Sequence, residues 1–182
     1  GRTYSEEVAR KLEKEKNWVF KEEIKSGGGF RRVVPSPQPI DILNSRIIKD
    51  LVSAGNIVLA TGGGGIPVYI DAKGNYRPVE AVIDKDMASA LLAVTIHADE
   101  FYILTDVPYV YLNYKKPDQK IAEFINRNDA LRYLKTGMFG EGSMAPKMKA
   151  AIFFVEHGGS SSVITEATKL ENKKYGSRIT LD

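Results

Sequence analysis

The chain has 182 residues, enough for one sizeable domain or a domain with an appendage, and its 43% apolar and 27% charged content is ordinary for a globular protein. A net charge of +3, with no Lys/Arg block interleaved with aromatics, argues against a nucleic-acid partner, and no apolar run approaches the roughly 20 residues of a membrane span. Cysteine is absent, which excludes a disulfide scaffold and thiolate metal sites and fits an intracellular location, and the two histidines, His97 and His157, are too far apart in sequence for a His-rich metal site.

The opening Gly1-Arg2-Thr3-Tyr4 has the character of mid-chain sequence, with no signal-peptide pattern. Residues 5–16 place Val8, Ala9 and Leu12 at helical spacing behind an N-cap candidate, Ser5, and two acidic first-turn residues. Residues 18–20 and 30–34 form two strands around a Gly-rich turn at 25–29. Pro35, Pro37 and Pro39 forbid helix and interior strand, so a boundary is expected there: a small helix-plus-hairpin subdomain over 1–34, and a second region over 35–182.

Beyond the prolines, helices and strands alternate. Residues 47–54 predict a helix closed by Gly55, and 57–60 (Ile-Val-Leu-Ala) a strand buried on both faces. Residues 69–71 and 76–78 flank a Lys73-Gly74-Asn75 turn. Strands follow at 81–83, 100–105, 162–165 and 178–181, and helices at 87–97, 119–126, 128–136 and 143–158, with a helix-like piece before the last strand. This alternation predicts an α/β fold, a mainly parallel sheet covered by helices on both faces.

Three motifs carry candidate chemistry. Asp84-Lys85-Asp86 sits where a strand passes into a helix, a common position for anionic ligands because helix N-termini present free N–H groups. Taken alone it is a solvated charged turn; with the glycine run upstream and a second lysine downstream, it is a site candidate. Gly62-Gly63-Gly64-Gly65 lacks the Lys-Ser/Thr of a P-loop and the following helix of a dinucleotide fingerprint. It is either a flexible loop or a cradle whose main-chain N–H groups face an anion or substrate, and the apolar run before it and Ile66-Pro67 after it favour the cradle. Ser143 is a cap candidate and Pro146 a first-turn residue for the helix that carries Lys147. A first-turn lysine opposes the helix dipole, so it is either a tolerated surface cation or one placed for a phosphate. The polar strand end Thr105-Asp106-Val107, followed by Tyr109 and Tyr111, suits an adenine or sugar site, although each tyrosine alone reads as core or surface. His97 is expected to be a partly buried structural histidine, and His157 to sit at a helix C-terminus.

Arg31-Arg32-Val33-Val34-Pro35-Ser36-Pro37, Gly62-Gly63-Gly64-Gly65-Ile66-Pro67-Val68, Ala81-Val82-Ile83-Asp84-Lys85-Asp86, Ile103-Leu104-Thr105 and Gly142-Ser143-Met144-Ala145-Pro146-Lys147 occur in this order in carbamate kinases, and nearly the whole chain resembles that family. The resemblance implies the amino-acid kinase fold, a three-layer α/β/α sandwich with an open, mainly parallel sheet. It implies phosphoryl transfer between ATP and carbamate, giving ADP and carbamoyl phosphate, with Mg²⁺ accompanying the nucleotide, in a cytoplasmic homodimer of arginine metabolism. Lys85 and Lys147 resemble the family's phosphate-contacting lysines, and Asp86 the aspartate that orients them. Thr105, Asp106, Val107, Tyr111 and Met144 resemble the nucleotide wall, and Gly62, Gly63, Gly64 and Gly65 a substrate or phosphate loop. No residue is assigned as a metal ligand.

In the family pattern Gly1 falls mid-chain. The resemblance therefore implies that these residues are a C-terminal portion, that residues 1–34 are part of a protruding subdomain over the acceptor site, and that the N-terminal portion is a required partner. Two other functions remain: a related kinase with another small carboxylate or phosphonate acceptor, and a non-catalytic nucleotide-binding module. The joint presence of Lys85, Asp86 and Lys147 favours catalysis over the latter.

Overall fold

The computed structural model describes residues 2–23, 28–139 and 143–182. In chain order the elements are β1 (Thr3–Tyr4), α1 (Glu6–Lys16), β2 (Val19–Glu22), β3 (Phe30–Val33), α2 (Ser45–Ser53), β4 (Val68–Ile70), β5 (Tyr76–Pro78), α3 (Lys85–Ile96), β6 (Glu100–Thr105), β7 (Val110–Leu112), β8 (Lys120–Ala122), β9 (Phe124–Asn126), α4 (Arg127–Lys135), α5 (Met144–Glu156), β10 (Ser161–Glu166), a short 3-10 turn (Ala167–Lys169) and β11 (Ser177–Thr180). They fall into two compact units: Gly1–Pro37 with Ile66–Val82, and Gln38–Gly65 with Ile83–Asp182. The sequence reading draws one boundary at 34/35. The first unit, however, also takes in Ile66–Val82, tied to it by the Arg32 Nη2–Glu80 Oε2 pair at 2.7 Å and by the Val82 N–H donating to the Pro35 carbonyl at 3.0 Å.

In the first unit α1 begins where Ser5 accepts from the Val8 N–H and ends at Asn17 in the left-handed region. β1, β3 and β2 form an antiparallel sheet in that order. Its aromatic contacts include Tyr4 meeting Phe20 edge-on at 5.4 Å and the Arg32 guanidinium 3.8 Å over Trp18, with the Lys16 ammonium 4.9 Å from the same ring. β4 and β5 form a hairpin around Lys73-Gly74-Asn75, as the turn chemistry predicts, with the Asp71 carboxylate accepting from the Lys73 and Asn75 N–H groups.

The second unit holds the main sheet, in the order β6–β10–β11–β9. β6 and β10 are parallel, as are β11 and β9, while β10 and β11 are antiparallel. Helix α5 packs on this sheet and against α3 and α4. Its buried residues lie nearly all round it (Ala145, Met148, Ala150, Ala151, Ile152, Phe154, Val155), because sheet and helices surround it. Phe154 meets Phe101 of β6 at 5.6 Å, and Ile164, Ile125 and Ile179 complete the core. On the opposite face of the sheet, Arg178 bonds Glu100 at 3.0 Å and also Ser161, beside Lys173.

Several expectations are overturned. Residues 119–126 form two strands, not a helix. β8 pairs with β7, β9 pairs with β11, and Asn126 ends the strand by capping α4, accepting from the Asp129 N–H at 2.8 Å. Pairing with the hairpin neighbour β7 and with the distant β11 outweighs local helical propensity here. Residues 57–60 and 81–83 join no ladder among the described residues, and Ile57 and Leu59 are 97% and 98% exposed where burial on both faces is expected. An apolar run signals a demand for a partner and says nothing of where the partner lies. The helix-like piece near the end shrinks to the 3-10 turn. His97 is exposed, and its backbone closes α3 in the left-handed region at φ 60°. Ser143 makes no side-chain capping bond. Residues 140–142 of the Gly-Glu-Gly motif, and 25–27 of the first Gly-rich turn, lie outside the described residues. Among the described residues no helix is long and apolar enough to cross a membrane.

Two stability predictions follow from the packing. A Cβ at Gly159 would lie 2.1 Å from the Phe154 ring, so Gly159→Ala is expected to cost about 1–3 kcal/mol by overpacking, read as a lower Tm. The Arg178 hydrogen bond holds the Glu100 carboxyl below its ordinary range, against an opposing desolvation. A depressed carboxylate stabilises the fold above its unfolded-state pKa (about 4.3) and loses that contribution as pH falls through its folded value. The Tm gap between wild type and Glu100→Gln is therefore expected to be full at neutral pH and to close progressively below about pH 4.

Candidate active site

Helix α3 enters β6 and helix α5 enters β10, so both helices run back along the sheet and their N-termini gather at the C-terminal ends of these parallel strands. The two carboxylates of the Asp-Lys-Asp motif have separate tasks there. Asp84 is the N-cap of α3, accepting from the Met87 N–H at 2.9 Å. Asp86 lies one residue past Lys85 on the face of the helix that is buried. A carboxylate removed from water requires cationic partners, and α5 supplies one: Lys147 Nζ donates to Asp86 Oδ2 at 2.9 Å, with the side chains 13% and 11% exposed. Lys85 Nζ lies 3.7 Å from the other carboxylate oxygen, and its side chain is 58% exposed. The structure thus brings Lys85, Asp86 and Lys147 together, with Asp86 between two ammonium groups at two helix N-termini. Lys147 opposes the local helix dipole as the sequence indicates, and Asp86 offsets that conflict.

Beside this cluster is a cavity of about 280 Å³, near the lower end of the range for small-molecule sites (~300 Å³). It is lined by Thr105, Asp106 and Val107 from the end of β6, by Tyr111 of β7 and by Met144 of α5, so all five residues of the expected nucleotide wall meet in one place. Met144 and Lys147 are three residues apart on α5, hence neighbours on its surface, and this first turn connects cavity and lysine cluster. Tyr109 is not among the residues lining the cavity and instead meets Tyr175 in a tilted ring pair at 4.9 Å. Sequence reasoning missed Tyr114, Lys115, Met138, Phe139 and Ser143 as lining residues. The apolar pair after Gly137 was a usable signal. Tyr114 and Lys115 gave none, because their placement depends on a β7–β8 loop with Asn113 and Lys115 at positive φ and Asn113 bonded to Asp118 at 2.6 Å. Buried Ser177 anchors that hairpin, accepting from the Val110 N–H at 2.8 Å and donating to the Ala122 carbonyl at 2.6 Å.

The glycine loop is built rather than slack. The Gly62 and Gly64 N–H groups donate to the Ala60 and Thr61 carbonyls, both at 2.7 Å. The Gly63 and Gly65 N–H groups have no backbone acceptor among the described residues. Gly64, at φ 121°, lies so close to Ile83 that an added Cβ would be 2.1 Å from its carbonyl oxygen, which seats the loop just before the Asp84 cap.

The model of the amino acid kinase family matches residues 9–166, and the chain belongs to that family. Within the family its likeness is to carbamate kinases. It is 49% identical over 172 residues to the carbamate kinase of Thermoplasma volcanium, covering 94% of this chain and 54% of that protein. It is 51% identical over 164 residues to that of Thermococcus kodakarensis, covering 90% of this chain and 51% of the relative. The structure of carbamate kinase from Giardia lamblia bound to AMP-PNP matches the whole of this chain and 58% of its own, with a TM-score of 0.87 and 42% identity. The chain spans about half the length of the curated relatives it matches.

Because Asp86 is nearly buried and Lys147 is its close partner, Lys147→Ala is expected to destabilise by about 3 kcal/mol, and Lys85→Ala, at an exposed pair, by less than about 1 kcal/mol. Paired Tm measurements check this; equal losses would contradict the assignment of Lys147 as the principal partner.

Proposed function

We propose that the protein carrying this chain transfers a phosphoryl group between ATP and carbamate, with ADP and carbamoyl phosphate on the other side of the reaction. The observation that carries this reading is the Lys85–Asp86–Lys147 cluster at two helix N-termini beside the cavity of Thr105, Asp106, Val107, Tyr111 and Met144. Support for carbamate as the acceptor comes from the likeness to carbamate kinases. The carbamate oxygen attacks the γ-phosphorus, the bond from that phosphorus to the bridging oxygen breaks, and ADP leaves with the electron pair. The attacking oxygen is already anionic, so no general base is required. Catalysis then rests on in-line positioning and neutralisation of moving charge. Lys85 and Lys147 supply cations, and Asp86 keeps them in place and offsets their mutual repulsion. Among the described residues no three carboxylates or histidines gather, and Asp86 is committed to two lysines. Mg²⁺ enters this reading as the resemblance implies, accompanying the nucleotide.

The same reading includes a companion portion of the enzyme. Its support is the half-length match to the relatives and the apolar surface of α2 and 57–60, with Ile47, Leu51, Ile57 and Leu59 exposed. A cytoplasmic homodimer is carried over from the resemblance alone.

ATP formation from carbamoyl phosphate and Mg·ADP, coupled to a luminescent readout, tests the proposal. Residues 1–182 alone are expected to give no turnover and the complete enzyme to give robust turnover. Turnover with acetyl phosphate in place of carbamoyl phosphate would instead favour a sibling acceptor, and turnover by a verified monomer of these residues would remove the need for a companion. In the complete enzyme Lys85→Ala is expected to cut the rate on the order of 10²–10³ and to raise the KM for the phosphate-bearing substrate. Asp86→Asn is expected to lower turnover without altering the limbs of the pH profile. A wild-type carboxylate limb that vanishes in Asp86→Asn would make Asp86 a base instead.

A further inference from the structure

The residue entering the glycine loop is strained. Thr61 has φ 60°, in the left-handed region that β-branched residues rarely occupy, and the Gly62 N–H reaches back across it to the Ala60 carbonyl at 2.7 Å. An i→i+2 bond over a positive φ is the rare, strained form of the γ-turn. Four glycines follow immediately, and a fifth at position 61 would adopt this conformation at little cost. Threonine supplies what glycine lacks, a hydroxyl. Its single proton goes to the Ala60 carbonyl at 2.8 Å, so the Ser89 hydroxyl, 3.0 Å away, donates to the Thr61 oxygen. Ser89 lies on α3 four residues past Lys85 and three past Asp86, next to both on the helix surface.

We propose that Thr61 is a positioning residue: held by Ser89, it fixes the glycine loop against α3 so that the loop's free amides face the acceptor's anionic group beside Lys85. The loop then has two anchors, the Thr61–Ser89 hydroxyl pair at its start and the packing of Gly64 on Ile83 further along. A fixed loop presents its N–H groups without paying an ordering cost when the ligand arrives. This inference rests on the reading of Gly62–Gly65 as the acceptor loop.

Steady-state kinetics of the complete enzyme, with carbamoyl phosphate and Mg·ADP varied in turn, test it. Thr61→Gly relieves the left-handed strain while adding chain entropy to the unfolded state, so its Tm is expected to stay close to wild type. Its KM for carbamoyl phosphate is nevertheless expected to rise about five-fold, the effect of losing one hydrogen bond, with the KM for ADP unchanged. Ser89→Ala should give the same rise, the double variant no further rise, and Thr61→Ser should recover the KM lost in Thr61→Gly. A normal KM in Thr61→Gly, a rise shared by ADP, or additive effects in the double variant would overturn the positioning role. Gly64→Ala separates this from the reading beneath it. If Gly64→Ala raises the KM for carbamoyl phosphate while Thr61→Gly and Ser89→Ala do not, only the positioning role falls. If Gly64→Ala leaves both KM values unchanged, the loop does not serve the acceptor and both readings fall.

Discussion

The nearly buried ion pair between Asp86 and Lys147 is the constraint on which the site depends. It joins the first turns of α3 and α5, two helices that pack against each other, through residues 61 positions apart in the chain. Burial makes the carboxylate intolerant of losing its partner, so the pair selects one relative placement of the two helix ends. That placement puts Met144 at the cavity, Lys85 at the solvent-facing edge of the carboxylate and Asp84 free to cap α3. In the proposed reaction the same pair holds two cations close together without mutual repulsion dominating.

The scaffold behind the pair explains why it is held well. α5 is apolar nearly all round and embedded among sheet and helices, and its first turn inherits that rigidity. β10 is buried along five of its six residues and lies parallel to β6, which ends in Thr105 at the cavity. Buried Ser177 secures the hairpin bearing Tyr111, Tyr114 and Lys115 with two hydrogen bonds. Cavity wall, lysine cluster and glycine loop therefore each rest on an element locked by packing or by a satisfied polar group, as the proposed phosphoryl transfer would require of electrostatic positioning.

The exposed apolar segments have the opposite character. Ile57 and Leu59 are almost fully exposed, α2 leaves Ile47 and Leu51 exposed, and among the described residues no ladder forms where 57–60 and 81–83 have strand-like sequence. Exposed apolar segments of this kind are unfavourable in water. They lead directly into the glycine loop at Thr61–Gly65 and into the start of α3 at Asp84–Asp86, beside the proposed acceptor site, so a partner that covered them would also bear on the geometry of that site.

By itself the sequence determined the alternation of helix and strand, the three charged residues Lys85, Asp86 and Lys147, the glycine loop, and the polar strand end at Thr105–Val107. Each is local chemistry: periodicity, a helix-start position, a backbone that needs glycine, a residue set against its helix dipole. The tertiary structure decided that Asp86 pairs with Lys147 while Asp84 caps, because Asp84 stands just before α3 and Asp86 lies on the helix face that is buried against α5. It decided that 119–126 are strands, because their ladder partners β7 and β11 lie elsewhere in the chain. It decided that 57–60 stand unpaired, that Ile66–Val82 joins the first unit, and that Thr61 is strained and bonded to Ser89, since none of these follows from neighbours in sequence. Hydrophobic pattern and turn chemistry act within a few residues, whereas ladders, buried ion pairs and strained turns depend on groups that only the folded chain brings together.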